Sequence, residues 1–90
     1  IIATDVELCE GVQIMAGVVI QAGSKISQDT IINTGVLIDH DCIIRQNCHL
    51  APGSSLCGGV EIGSNTHIGS GAILQNIFRL EATVKLAQPH

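Results

Sequence analysis

Residues 14–38 read IMAGVVIQAGSKISQDTIINTGVLI, and what recurs in them every six places decides the fold. Ile14, Ile20, Ile26, Ile32 and Ile38 hold one place in each hexad, and three places after them stand Gly17, Gly23, Asp29, Gly35 and Asp41. One place further on come Val18, Ser24, Thr30, Val36 and Cys42, all small. The frame extends outward in both directions. Counted in sixes from Ile2 to Leu86, fifteen consecutive positions are Ile or Leu. The turn place is filled by Asp5, Gly11, Asn47, Gly53, Gly59, Asn65 and Gly71 as well, so twelve hexads carry Gly, Asn or Asp there.

Gly, Asn and Asp are the residues that enter left-handed backbone space at small steric cost. Each hexad therefore reads as a short strand followed by a left-handed corner, from Asp5 to Gly71. A helix cannot use a period of six, because its turns repeat every 3.6 residues and the corner residues would break its interior. A flat hairpin sheet needs longer runs of period two. Three hexads per coil instead close a triangular prism, whose strands stack in parallel about 4.8 Å apart along its axis. The expected fold is an all-β parallel β-helix of about five coils, eighteen residues to the coil.

The repeat domain spans 1–75. Beyond Gly71 the corner places hold Ile77 and Thr83, and Phe78 takes a small one. Ile77, Leu80, Val84 and Ala87 also have helical spacing, and a terminal coil needs a cap over its apolar end. Residues 76–90 are thus expected to form either an irregular last coil or a short capping helix.

Composition agrees with repetitive packing. Of 90 residues Phe78 alone is aromatic, and 46% are hydrophobic. The net charge is −4, and the four basic residues are scattered, so no patch is offered to nucleic acid. No apolar run approaches the roughly 20 residues that span a bilayer, and no basic start precedes an apolar signal segment. The expectation is a cytoplasmic protein with neither a membrane nor a nucleic-acid partner. The four cysteines form no CxxC pair, and reduced thiols are expected. Cys42 and Cys48 occupy small inward places, where an inward thiol is a compact hydrophobe rather than a nucleophile. Cys9 and Cys57 point outward on different columns.

Residues eighteen apart stack vertically, which turns the sequence into a surface map. His49 and His67 lie in neighbouring coils on the face of Ile14, Ile32, Leu50 and Ile68, together with Asn33. His40 closes the face of Ile20, Ile38 and Leu56, and one coil beyond it stands Gly58. His40 and His49 therefore do not meet within one prism. They can meet across an interface if prisms associate about a threefold axis. Histidine suits proton removal from an acceptor at neutral pH, its ordinary pKa being about 6.5. His40, flanked by Asp39 and Asp41 and faced by a glycine, is the candidate base rather than an idle turn residue. Asp41 also fits a plain corner residue, His67 a surface partner of His49, and His90 an idle terminus.

Residues 32–57, INTGVLIDHDCIIRQNCHLAPGSSLC, resemble the hexapeptide-repeat acyltransferase superfamily, in particular the enzymes that acetylate sugars or nucleotide-linked amino sugars in bacterial glycan and sialic-acid pathways. The resemblance implies left-handed coils, acetyl-CoA as co-substrate, no metal, and a homotrimer with active sites between subunits. The catalytic base of that subgroup matches His40 within Asp39-His40-Asp41-Cys42, and Asp41 matches the acid that orients it. His49 matches a histidine of the acyl-donor site, Asn33 a polar residue near the interface, and Gly58 a backbone donor to the thioester oxygen. The implied reaction is direct attack by a sugar amine or hydroxyl within a ternary complex. Such proteins usually carry an N-terminal nucleotide-sugar-binding domain and further C-terminal coils. Two other classes share the architecture. A metal enzyme of the γ-carbonic-anhydrase type carries an HxxxxH pair, whereas the spacings here are nine and eighteen, and stacked His49 and His67 would need one further ligand to hold a metal. A non-catalytic structural solenoid needs no chemistry at all.

Overall fold

The computed structural model describes residues 1–75, and the last coil or capping helix expected over 76–90 lies outside them. Twelve two-residue strands follow one another: β1 Glu7–Leu8, β2 Gln13–Ile14, β3 Val19–Ile20, β4 Lys25–Ile26, β5 Ile31–Ile32, β6 Leu37–Ile38, β7 Ile43–Ile44, β8 His49–Leu50, β9 Ser55–Leu56, β10 Glu61–Ile62, β11 His67–Ile68 and β12 Ile73–Leu74. The strands are this short because a corner follows every hexad. Three parallel four-stranded sheets result, in the orders β1-β4-β7-β10, β2-β5-β8-β11 and β3-β6-β9-β12. Glu7 pairs with Lys25, Gln13 with Ile31 and Val19 with Leu37, each partner eighteen residues on. The described residues thus make four coils of a left-handed β-helix, and the fifth expected coil falls beyond them.

Backbone hydrogen bonds run between coils. Leu37 N donates to Ser54 O at 3.0 Å and His49 N to Thr66 O at 3.0 Å. The column of Ile and Leu fills the prism: from Ile20 to Leu74 every member is at most 1% exposed. At the N-terminal end the column opens, with Ile2 and Leu8 both 41% exposed. Interior packing of this density makes each inward methyl group count.

Eleven of the twelve expected corner residues have positive φ, among them Asp41 at 57°. Asp5 does not. The other non-glycine corners are held by the coil before them, as Asp41 N is by Ala22 O at 2.9 Å and Asn47 N by Gln28 O at 2.9 Å, whereas glycine takes positive φ without that help, as at Gly11 and Gly17. No such carbonyl precedes Asp5 among the described residues, so nothing there favours the left-handed conformation over an ordinary turn.

Two buried hydroxyls clasp corners from the coil below. Ser24 Oγ donates to Asp39 O at 2.8 Å and accepts from Cys42 N at 3.1 Å, tying together both ends of the His40 corner. Thr30 Oγ1 does the same for the next corner, through Arg45 O at 3.0 Å and Cys48 N at 3.2 Å. An alanine at either place leaves a buried donor and acceptor without a partner. Ser24→Ala and Thr30→Ala are each expected to cost about 1–3 kcal/mol. A urea titration checks this, and a midpoint unmoved in Ser24→Ala would show that the clasp holds nothing.

Candidate active site

After β6 the chain turns through Asp39, His40 and Asp41, and bonds fix this corner from three directions. His40 N donates to Asp39 Oδ1 at 2.7 Å, Asp41 N to Ala22 O one coil below, and Gly59 N to His40 O one coil above at 3.0 Å. The imidazole stands out from this frame. Its Nδ1 lies 3.1 Å from Asp41 Oδ2. An ionised Asp41 accepts there from Nδ1–H, which leaves the Nε2 lone pair as the ring's basic site. The two side chains are 63% and 72% exposed, so water screens their attraction and the pair adds little to stability. Its effect is to hold the ring in one orientation and one tautomer.

On its other side the ring lies against bare backbone. A Cβ on Gly58 would stand 2.6 Å from His40 Nε2 and 2.7 Å from Cε1, closer than real atoms come. Gly58 is exposed, and its N–H meets no acceptor among the described residues. The basic nitrogen of the ring therefore lies against exposed backbone that carries no side chain, which leaves room beside it for a substrate.

A second cluster occupies the β2-β5-β8-β11 sheet. His49 and His67 are register partners on β8 and β11, their rings stacked with centroids 4.8 Å apart and planes 7° from parallel. Asn33, which follows β5, accepts from Thr34 N at 2.7 Å through Oδ1, so its Nδ2 faces His49 Nε2 at 3.4 Å. Burial, and secondarily the charge of His67, push the His49 pKa down. Both favour a neutral ring that takes the Asn33 amide hydrogen at Nε2 and keeps its proton on Nδ1. Because its pKa is lower folded than unfolded, His49 destabilises the fold as pH falls from above the unfolded value through the folded one. In His67→Gln, an NMR titration of His49 should give a midpoint higher than in the parent but still below the ordinary value, since burial is the larger cause. An unchanged midpoint would mean that the stacked rings do not sense each other.

The surface map is accurate in placing His40 with Gly58 and Asn33 with His49 and His67. No hydrogen bond, ion pair or ring contact joins the two groups among the described residues. Cys42 and Cys48 are buried, with thiol pKa values pushed up by that burial, and their Sγ atoms donate inward to Cys57 O at 3.2 Å and Gly63 O at 3.1 Å. Neither is a nucleophile. Cys9 and Cys57 are free and partly exposed. Among the described residues no group of three His, Cys, Asp or Glu side chains could hold a metal ion. Among the described residues there is no helix long and apolar enough to cross a membrane. The clasp of Ser24 escaped the sequence reading, although a hydroxyl in an otherwise apolar inward column was its visible sign.

Residues 41–76 match the family model described as bacterial transferase hexapeptide (six repeats). The acetyltransferase domain of PglB from Neisseria gonorrhoeae FA1090, solved with acetyl coenzyme A, superposes with a TM-score of 0.86 at 32% identity, over 91% of this chain and 41% of that one. The segment 41–76 thus carries the hexapeptide repeat of that family, and the chain shares its fold with this acetyltransferase domain. It is also similar to PerB from Caulobacter crescentus, solved with CoA and GDP-perosamine, with a TM-score of 0.77 and 35% identity over 93% of this chain and 50% of that one. A histidine-to-asparagine mutant of perosamine N-acetyltransferase from the same organism, with the same two ligands, gives 0.76 and 34% over the same shares. The chain thus spans between 41% and 50% of the length of these structures. A search of curated proteins gives no significant match.

Proposed function

We propose that this chain is the β-helical part of an acetyl-CoA-dependent acetyltransferase whose acceptor is the amine of a nucleotide-linked amino sugar. One observation carries the reading: a histidine held by an adjacent carboxylate through Nδ1, with Nε2 lying against the side-chain-free face of Gly58. The neighbours support it, being acetyltransferases bound to acetyl-CoA or to CoA with GDP-perosamine. In the reaction, His40 Nε2 takes a proton from the acceptor nitrogen as that nitrogen attacks the thioester carbonyl. The Gly58 N–H stabilises the oxyanion, the C–S bond breaks, and the CoA thiolate leaves with the proton that His40 returns. Each such donor lowers the barrier by about 3 kcal/mol in other acyl transfers. Asp41 keeps Nε2 unprotonated at the start and steadies the imidazolium that forms.

Asn33 and His49 would line the acyl-donor side. Since they stand on a different sheet from His40, the complete site takes the His40 corner of one chain and the Asn33/His49 face of another, in a homotrimer with shared clefts. The test is thiol release from acetyl-CoA with a panel of amino sugars and nucleotide-linked amino sugars, alongside the oligomeric state by light scattering. Release that no acceptor stimulates would reject the transferase reading, and full activity from a monomer would reject the shared cleft.

A further inference from the structure

The Asp41 carboxylate touches more than His40. Its Oδ1 lies over Gly23, one coil below, where an added Cβ would meet it in hard overlap and come 3.1 Å from Asp41 Cγ. The two oxygens are thus engaged differently: Oδ2 faces His40 Nδ1 at 3.1 Å, and Oδ1 rests on the bare backbone beneath. Corner residues one coil apart contact each other along the axis. In the neighbouring corner column, Asn47 Nδ2 donates to Asn65 Oδ1 at 2.7 Å, so each of these side chains is occupied by the other. The column of Asp41 runs Asp5, Gly23, Asp41, Gly59, and glycines on both sides leave its carboxylate free to turn toward the histidine. We propose that Gly23 is a positioning residue for the His40 base, its missing side chain being the seat that lets Asp41 reach Nδ1. This rests on the transferase reading for its catalytic consequence, but not for its geometry.

The fold contains a matched control. Asp29 lies over Gly11 in the same way, with the same overlap for an added Cβ, but far from His40. Gly11 and Gly23 have φ of 79° and 78°, so alanine pays the same backbone strain at either. Both variants should therefore lose thermal stability alike. Only Gly23→Ala should shift the ¹⁵N resonances of the His40 imidazole from the Nδ1–H pattern toward the Nε2–H pattern preferred by free imidazole, and Asp41→Ala should produce the same shift. Only Gly23→Ala should lower kcat for acetyl transfer, by roughly ten- to a hundredfold, with KM for acetyl-CoA unchanged. Added to Asp41→Ala, it should lower kcat no further.

If Gly23→Ala does not fold, Gly23→Asn serves instead. The corner accepts asparagine with positive φ, as it does at Asn47, and the new amide competes with His40 for the carboxylate. A His40 resonance pattern identical to the parent in a folded Gly23 variant overturns the proposal, whatever happens to activity. A shifted pattern in a protein that transfers no acetyl group upholds the seat and rejects the transferase reading.

Discussion

Alanine in place of His40 is expected to lower kcat for acetyl transfer by roughly 10²–10⁴-fold, the usual contribution of a positioned general base. The fold should hardly notice. The ring is 63% exposed, and the bonds that shape the corner, from His40 N to Asp39 Oδ1 and from Gly59 N to His40 O, belong to the backbone that alanine retains. Surface substitutions of this kind stay within about 0.5 kcal/mol. KM for acetyl-CoA should stay the same, because the lost interaction is made only as the acceptor gives up its proton. His40→Asn should show the same loss, since an amide of similar size cannot take that proton. Thiol release by the parent and both variants, with the best acceptor in the panel, decides the matter. Equal rates would remove His40 as the base and leave its contacts with Asp41 and Gly58 as corner packing.

How much of this could be read from the residues follows from how local each feature is. The inward column from Ile20 to Leu74 was legible because burial in a prism is a matter of counting, and every member is where the count puts it. The register of His49 with His67 follows from the same arithmetic. The left hand does not, because a period of six is equally compatible with either winding, and it came from resemblance. Asp5 shows where the counting fails: a corner residue other than glycine takes the left-handed conformation with help from a coil that Asp5 lacks. The clasp of Ser24 and the seat at Gly23 were hidden for a different reason. A column shows that Ser24 stands below Cys42 and Gly23 below Asp41, but the direction of a hydroxyl or a carboxylate depends on a rotamer, which no periodicity encodes. Asn33 and His49 were placed on one face by the count, whereas the 3.4 Å contact between them depends on Thr34 holding the amide.

Alanine at Gly58 should be nearly as damaging as loss of the base itself, with a fall in kcat of about 10²-fold, the penalty for a reacting group displaced by an ångström. Conformational freedom is not the reason glycine is needed here. Gly58 is absent from the residues with positive φ, and Ala22 holds the equivalent place one coil below His40, so the corner itself admits a Cβ. The reason is the ring. A methyl group 2.6 Å from Nε2, 2.7 Å from Cε1 and 3.2 Å from Cδ2 cannot coexist with it, and since the ring is the exposed and movable partner, the ring must leave. Moving it either breaks the 3.1 Å contact with Asp41 or swings Nε2 away from its place on Gly58, and the methyl group then covers the place where the proposed thioester would lie. Stability should change by no more than about 0.5 kcal/mol, as for other exposed positions. The deciding measurement is the double variant. If Gly58→Ala acts by displacing the imidazole, it should lower kcat much less in a His40→Ala background than in the parent, and the difference between the two losses would measure what displacing the ring costs. A full hundredfold loss in both backgrounds would mean that the methyl group blocks the acyl donor directly and that the ring's place on the glycine is incidental.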